Sequence, residues 1–128
     1  MTAIIPNGTV AWGLQLPIQA QSTIFVEPWE ASATTEDLVA VAQAADRAGA
    51  LYVGVCEHVA IPKPFVERMG TTWYHPFVTL GFLAAATERV RLLSHVIALP
   101  YHHPLMVADR WVLLDHLTRG RTMLGVGP

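Results

Sequence analysis

Two adjacent ionisable residues, Glu57 and His58, end an apolar segment whose composition predicts a buried strand. In barrels and in open parallel sheets, chemistry takes place at the carboxyl ends of the strands and in the loops that follow. Burial and proximity would shift the pKa values of both groups, which suits acid/base catalysis. Because successive strand residues point to opposite faces, one side chain would face the mouth and the other would brace the loop. The alternative is a pair that only hydrogen-bonds the next loop.

The same rule selects three other strand ends, Gln15–Pro17, Ser94–Val96 and Gly125–Gly127. The small residues Gly125 and Gly127 would let a backbone approach a ligand closely. A strand that simply ends in a turn accounts for them equally well. The G-V-G run is not a dinucleotide-binding fingerprint, which requires G-x-G-x-x-G running into a helix.

Six histidines raise the question of a metal site. They are His58, His75, His95, His102, His103 and His116. None of them shows the local spacing of a zinc site, such as H-E-x-x-H or clustered Cys and His. The His102–His103 pair precedes Pro104 and predicts a loop that leads into a helix, while His116 falls late in a helix, where it suits the dipole. We therefore predict no metal site.

The composition predicts one domain with a sheet that is buried on both faces. The chain has 128 residues, of which 52% are hydrophobic and 14% are charged, against roughly 25% charged in ordinary globular domains. Continuous apolar strands are typical of parallel sheets covered by helices. The net charge is −2 and only eight residues are Lys or Arg, so no basic face can form for nucleic acid or an anionic membrane.

The sequence favours the cytoplasm. The one cysteine, Cys56, excludes an internal disulfide and fits a reducing compartment. Residues Met1–Gly8 lack the basic residues of a signal peptide. The longest apolar stretch, Pro76–Thr87, is shorter than the ~20 residues that a membrane span requires.

Four apolar segments alternate with three helical ones. The order β-α-β-α-β-α-β predicts right-handed crossovers and a parallel sheet. A small doubly wound sheet and the first half of a (β/α)8 barrel both fit this order. The chain ends on a strand without a covering helix, which favours a half barrel that stops before it closes. The predicted strands are Val10–Pro17, Leu51–His58, Val90–Leu99 and Thr122–Gly127, and the predicted helices are Thr34–Gly49, Pro76–Glu88 and Pro104–Gly120.

The helix signals are clearest in the first and third helices. Thr34 with Asp37 predicts a capping box, and Gly49 predicts the C-terminal stop. Apolar periodicity predicts which residues face inward. In the first helix these are Leu38, Val41, Ala42 and Ala45, and in the third they are Val107, Trp111, Leu114 and Leu117.

Taken together, these segments resemble the luciferase-like monooxygenases, and within them the oxidoreductases that use the deazaflavin coenzyme F420. The strongest part is HPFVTLGFLAAATERVRLLSHVIALPYHHP, which is similar to the family's helix, strand and "l-P-y-r-h-P" loop. LLDHLTRGRTMLGVG is similar to the family's "tLD-x-L-S-x-G-R-x-x-l-G-V-G". The early match is looser and rests on VAWGLQLP and on CEH, which resembles the family's "(D/E)-H".

The resemblance implies a (β/α)8 barrel that holds an isoalloxazine-type ring at its C-terminal mouth. Hydride would pass between the substrate and coenzyme F420, whereas in a flavin branch the reduced ring activates oxygen. The family's acid/His pair maps onto Glu57 and His58, with the histidine as acid/base or charge stabiliser. A non-prolyl cis peptide that supports the ring maps onto His95–Val96. The implied coenzyme-binding residues are Ser94, His95, Val96, Gly125 and Gly127.

Two departures from the family pattern limit what the chain can do. Pro128 ends the chain where the family continues from G-V-G into the coenzyme site, and the later phosphate-binding loops are absent. We expect residues 1–128 to be a partial barrel domain of an F420-dependent oxidoreductase that acts on a small organic molecule and forms a homo-oligomer. The alternatives are a flavin mononucleotide (FMN) monooxygenase of the same family and a non-enzymatic remnant that only self-associates.

Overall fold

The protein is a four-stranded parallel sheet whose strands follow one another in chain order, β1-β2-β3-β4. The computed structural model describes residues 4–20, 22, 24 and 26–128. Residues 1–3, on which the signal-peptide prediction partly rests, and residues 21, 23 and 25 of the predicted first loop lie outside the described residues. The strands are β1 Leu14–Gln15, β2 Tyr52–Val55, β3 Arg91–Ala98 and β4 Thr122–Gly127. The predicted parallel α/β sheet and its order are confirmed.

Helices cover the sheet between successive strands. They are α1 Thr35–Arg47, α2 Val66–Met69, α3 Pro76–Ala84 and α4 Pro104–Leu117, with short 3-10 turns at Pro28–Ser32, Lys63–Phe65 and Leu99–Tyr101. The prediction of three helices missed α2, a single turn in the loop after β2. Four residues are too few to show a helical period, and Pro62 and Pro64 before them indicated a loop. Within the described residues, we find no helix that is long and apolar enough to span a membrane.

The first strand is much shorter than the predicted Val10–Pro17. Val10 is almost fully exposed, and only Leu14 and Gln15 pair with β2. A Cβ placed on Gly13 would lie 2.5 Å from the ring of Tyr52, so the chain needs glycine to pass this ring. The apolar residues extend beyond the two that pair with β2, so the prediction from composition made this strand too long.

The start and buried face of α1 follow the sequence signals. The Thr34 hydroxyl accepts a hydrogen bond from the Asp37 backbone N–H at 3.3 Å, and the Asp37 carboxylate accepts one from the Thr34 N–H at 2.8 Å. Gly49 has a φ of +79° after the helix, which glycine adopts without strain. Three of the four predicted inward residues are buried, and Val41 is half-buried. The capping box and the stop at Gly49 are confirmed.

Helix α4 departs from its predicted face at one residue. Val107, Trp111 and Leu114 are buried, but Leu117 is 71% exposed. At about 100° per residue, Leu117 lies about 80° around the helix from Val107. The predicted inward position of Leu117 is therefore wrong, because the apolar spacing drifts away from the sheet by the last turn.

Asp46, near the end of α1, holds the turn that leads into β3. Its carboxylate accepts hydrogen bonds from the backbone N–H groups of Glu88 at 2.7 Å, Arg89 at 3.0 Å and Val90 at 2.7 Å. Burial opposes ionisation of this carboxyl, but the three N–H groups and the Arg89 guanidinium outweigh burial and lower the pKa of Asp46. A charged acceptor therefore fixes the turn that leads into β3.

Arg121 provides the complementary cationic anchor just before β4. Its guanidinium donates to the carbonyl oxygens of Ala84 at 2.9 Å and Val90 at 3.1 Å, and to the Thr87 hydroxyl at 3.0 Å. These acceptors belong to the end of α3 and the approach to β3. Asp46 and Arg121 together fix the amino edge of the sheet.

Candidate active site

Glu57 and His58 lie just beyond β2, which ends at Val55 rather than at the predicted His58. Their side chains are in very different environments. The Glu57 side chain is 2% exposed, whereas His58 is exposed. One Glu57 oxygen accepts the backbone N–H of Ala98 at 2.9 Å, and His102 Nε2 lies 2.9 and 3.0 Å from the two carboxylate oxygens. Glu57 thus braces the end of β3 and the loop before α4, in agreement with the expectation that one member of the pair supports the loop.

His58 lies at the carboxyl ends of the first two strands, beside Trp73. The centroids of the two rings are 4.0 Å apart at an interplanar angle of 59°. The Trp73 indole N–H donates to the Met69 carbonyl oxygen at 3.2 Å, so α2, the helix missed by the sequence, holds this ring. Burial lowers the pKa of His58, although the charge of Glu57 opposes the shift. A neutral imidazole near pH 7 can accept a proton from a bound molecule.

A cavity of about 230 Å³ opens beside His58. It is formed mainly by the loop after β1 and by the end of β2. The lining residues include Gln15, Leu16, Ile18, Gln19, Cys56 and Trp73. The predicted functional segment at Gln15–Pro17 therefore does reach the same cavity as His58.

Gln19 is a buried residue of this cavity that the sequence did not single out. Its amide oxygen accepts the Cys56 N–H at 2.9 Å, and its amide nitrogen donates to the Leu16 carbonyl oxygen at 2.7 Å. The Cys56 thiol lies 3.5 Å from the same amide oxygen, and burial raises the pKa of Cys56 to about 11. Gln19 thus joins the ends of β1 and β2. No local pattern identifies it, because its partner lies 37 residues away.

The pairing of β3 with β4 is interrupted at the predicted coenzyme-binding segment. The register shifts between Ser94 and Ile97, and the His95–Val96 peptide bond within the shift is cis. The predicted cis peptide is confirmed. His95 and Val96 are both exposed, so this irregular segment presents side chains to the surface between two buried residues.

Ser94, Gly125 and Gly127 are engaged with the protein itself. The buried Ser94 hydroxyl donates to the Gly125 carbonyl oxygen at 2.9 Å and accepts the Gly125 N–H at 3.0 Å. A Cβ on Gly125 would lie 2.2 Å from the Ser94 carbonyl oxygen, and one on Gly127 would lie 2.8 Å from Val96. The two glycines therefore allow β4 to pack closely against β3. Their contact with a coenzyme stays a prediction.

Two histidines that the sequence did not connect with Glu57 lie beside it. His102 is described above, and His75 Nε2 is 3.6 Å from a Glu57 oxygen. Burial lowers the pKa of His75; the charge of Glu57 opposes this shift, while His102 and Arg110 add to it. These residues lie 18 and 45 positions after Glu57 in the chain, so only the packing of the loops brings them together.

Residues 15–128 match the family model for the luciferase-like monooxygenases. This match covers nearly the whole chain, from the second residue of β1 to the end of β4 and beyond. The chain belongs to this family. The resemblance expected from the sequence is thereby confirmed.

The luciferase-like chain is similar to curated relatives of differing chemistry. It is 60% identical over 50 residues, 37% of this chain and 13% of the relative, to limonene 1,2-monooxygenase from Rhodococcus erythropolis. It is 34% identical over 94 residues to the F420-dependent hydroxymycolic acid dehydrogenase of Mycobacterium tuberculosis, covering 73% of this chain and 25% of that protein. The chain thus spans a quarter or less of either relative.

The luciferase-like fold is also seen in solved structures. A riboflavin lyase crystallised with modified FMN and riboflavin superposes with a TM-score of 0.72 at 20% identity. The alignment covers 94% of this chain and 30% of the lyase. At this identity the likeness concerns the fold alone, and it agrees with the predicted barrel architecture.

Proposed function

We propose that this chain is the N-terminal part, comprising the first half of the barrel, of an oxidoreductase that transfers hydride between coenzyme F420 and a small organic substrate. The observation that carries the proposal is the position of His58. Its imidazole lies beside a cavity at the carboxyl ends of the strands, within a family whose relatives include an F420-dependent dehydrogenase. His58 acts as the acid/base or charge stabiliser, and Glu57 supports the loops around it.

The residues present suit the ring of such a coenzyme. The exposed Val96 side chain offers an apolar surface where the pairing of β3 with β4 is interrupted. When bound, the coenzyme supplies the carbon that accepts or gives the hydride. The cavity beside His58, as far as the described residues define it, is lined by no Arg or Lys. Phosphate groups would therefore be held by residues outside this cavity.

The second candidate is an FMN-dependent monooxygenase of the same family. It is favoured by the 60% identity over 50 residues to limonene 1,2-monooxygenase. In that case the neutral imidazole of His58 would accept a proton from the substrate, and the imidazolium so formed would return it. A third candidate is a remnant without catalysis that only self-associates.

Coenzyme titration of the full-length enzyme separates these candidates. We expect saturable binding of F420 and, without oxygen, its reduction or oxidation by substrate. Tighter binding of FMN together with substrate-dependent oxygen consumption would favour the monooxygenase. Absence of binding by either coenzyme would leave the non-enzymatic remnant.

Cytoplasmic location and homo-oligomer formation are part of the same proposal. Sheet edge β4 exposes Leu124 and Val126, and unpaired edges and apolar surfaces favour association. We expect the 128-residue chain to self-associate and to bind deazaflavin or flavin weakly or not at all. Light scattering that shows a monodisperse monomer, with micromolar coenzyme affinity, would contradict the half-barrel assignment.

A further inference from the structure

Three potential metal ligands converge behind the cavity of His58. A Glu57 carboxylate oxygen lies 3.6 Å from His75 Nε2, and the second oxygen lies 2.9 Å from His102 Nε2. The three residues each offer one ligand atom, and these atoms all lie within 4.8 Å of one another. None of the three residues lines the cavity that His58 lines. The cluster is therefore a separate feature of the carboxyl edge.

The spacing of these atoms is close to that of a tetrahedral metal site. Zinc bonds to His nitrogen and carboxylate oxygen are about 2.0–2.2 Å long, which places neighbouring ligands of a tetrahedron roughly 3.3–3.6 Å apart. The Glu57 oxygen that faces His75 lies 3.6 Å from His75 Nε2 and 3.0 Å from His102 Nε2, so these two distances lie at or just below this range. Two histidines with one carboxylate also form a ligand set that occurs in zinc sites with an open fourth position.

We propose that Glu57, His75 and His102 bind one divalent transition-metal ion of the zinc type. The fourth position of the ion would be open to solvent. This proposal is independent of the coenzyme and of the reaction that His58 performs.

The protein fixes each ligand through its own element. His75 is the N-cap of α3 and is followed by Pro76 at the first helical position. His102 ends the Leu99–Tyr101 turn, just before α4. The Ala98 N–H, at 2.9 Å, donates to one Glu57 oxygen, which orients the carboxylate as outer-shell hydrogen bonds do in metal sites. The ion would therefore join the end of β2 to the loops that enter α3 and α4.

The burial of the ligands leaves one route for an ion. The side chains are 2% exposed for Glu57, 11% for His102 and 41% for His75. The Phe77 ring packs against both histidine rings, and the Trp111 ring packs against Phe77. An ion would thus enter past His75 and exchange one water or solute at its open position.

Titration calorimetry with Zn²⁺ tests the site in the purified, chelator-treated 128-residue chain. We expect one ion per chain, and at least a 10-fold loss of affinity in His75→Ala and in His102→Ala. His103→Ala is the matched control, since this histidine is exposed beside His102 and, among the described residues, belongs to no group of potential metal ligands. The Zn²⁺ affinity of this variant should equal that of the wild type. Circular dichroism shows that each variant is folded.

Cobalt spectroscopy gives a second readout that does not depend on heat. Co²⁺ in the wild-type chain should give the intense visible bands of a four-coordinate site, and His75→Ala should weaken them. No stoichiometric Zn²⁺ binding by the folded wild type, or equal affinity in His75→Ala, His102→Ala and His103→Ala, would overturn the proposal. The cluster would then be only a hydrogen-bonded brace.

Discussion

The two edges of the sheet carry polar side chains that are used in opposite ways. At the amino edge, Asp46 and Arg121 direct their charged atoms at backbone groups and at one buried hydroxyl. At the carboxyl edge, His58 contacts an aromatic ring and His95 is exposed. Side-chain polar atoms that are hydrogen-bonded to the backbone stabilise the fold, whereas polar atoms that remain accessible can act on a ligand. This division agrees with the separation of stability and chemistry in barrel folds.

Glu57 departs from this division in an informative way. It lies at the carboxyl edge, yet its carboxylate is buried and bonded to a backbone N–H and to His102. Its environment is that of Asp46 rather than that of His58. Position at the mouth is therefore insufficient to identify a catalytic group, and the accessibility of its polar atoms has to be considered as well.

Replacement of Asp46 should give the largest effect on stability. Asp46→Ala leaves three backbone N–H groups without their charged acceptor, and we expect the free energy of unfolding to fall by about 3 kcal/mol. Asp109→Ala, on the exposed face of α4, should change it by less than about 0.5 kcal/mol. Urea unfolding measures both, and equal stability of the two variants would contradict the role of Asp46.

The effect of Asp46 should also depend on pH. Because its pKa is lowered in the folded protein, its contribution is present above the unfolded pKa of about 3.9 and is lost as the pH falls through the folded pKa. The difference between wild type and Asp46→Ala should therefore shrink in acid. A difference that is unchanged below the folded pKa would argue against the ionised carboxylate as the anchor.

Gly125 tests whether the carboxyl edge also contains purely structural positions. Gly125→Ala puts a methyl group 2.2 Å from the Ser94 carbonyl oxygen, and we expect a loss of about 1–3 kcal/mol. The matched control is Gly81→Ala in α3, where a Cβ meets nothing within 4 Å and should stabilise the helix by roughly 0.5–1 kcal/mol. Thermal unfolding should show a lower stability for Gly125→Ala and a higher one for Gly81→Ala. Unchanged stability of Gly125→Ala would show that the backbone of β3 can move to make room for the methyl group.

The last of these effects concerns the thiol of Cys56, which lines the cavity and is expected to react slowly. Burial raises its pKa to about 11, so at pH 8 its thiolate fraction is about 100-fold below that of an exposed cysteine. Alkylation of the native protein should be slower than that of the urea-unfolded protein by at least this factor. Rapid labelling of the native protein would show that the cavity is more open than its geometry indicates.

The parts of the fold that sequence predicts are those governed by local pattern. The capping box of α1 lies within four residues, and the apolar segments of β2, β3 and β4 alternate with helices at regular intervals. The cis peptide at His95–Val96 was located through the family resemblance rather than through composition. It is present in the structure.

The parts that sequence missed depend on contacts between distant residues. Gln19 reaches Cys56 across 37 positions, and His102 reaches Glu57 across 45. No spacing rule connects such partners, because the loops that join them are set by the whole sheet. The same reason explains why sequence identified Glu57 and His58 as a pair but left open which of them faces the cavity.

The central claim is that His58, and not the buried Glu57 or its partner His102, performs the chemistry. The most direct test is the turnover of His58→Ala in the full-length enzyme, with His103→Ala as the control. We expect kcat to fall by ~10²–10⁴-fold, the usual contribution of a positioned acid/base group, while the unfolding temperature and coenzyme affinity stay unchanged. Wild-type turnover in a folded His58→Ala variant would contradict the account and return His58 to a structural role at the end of β2.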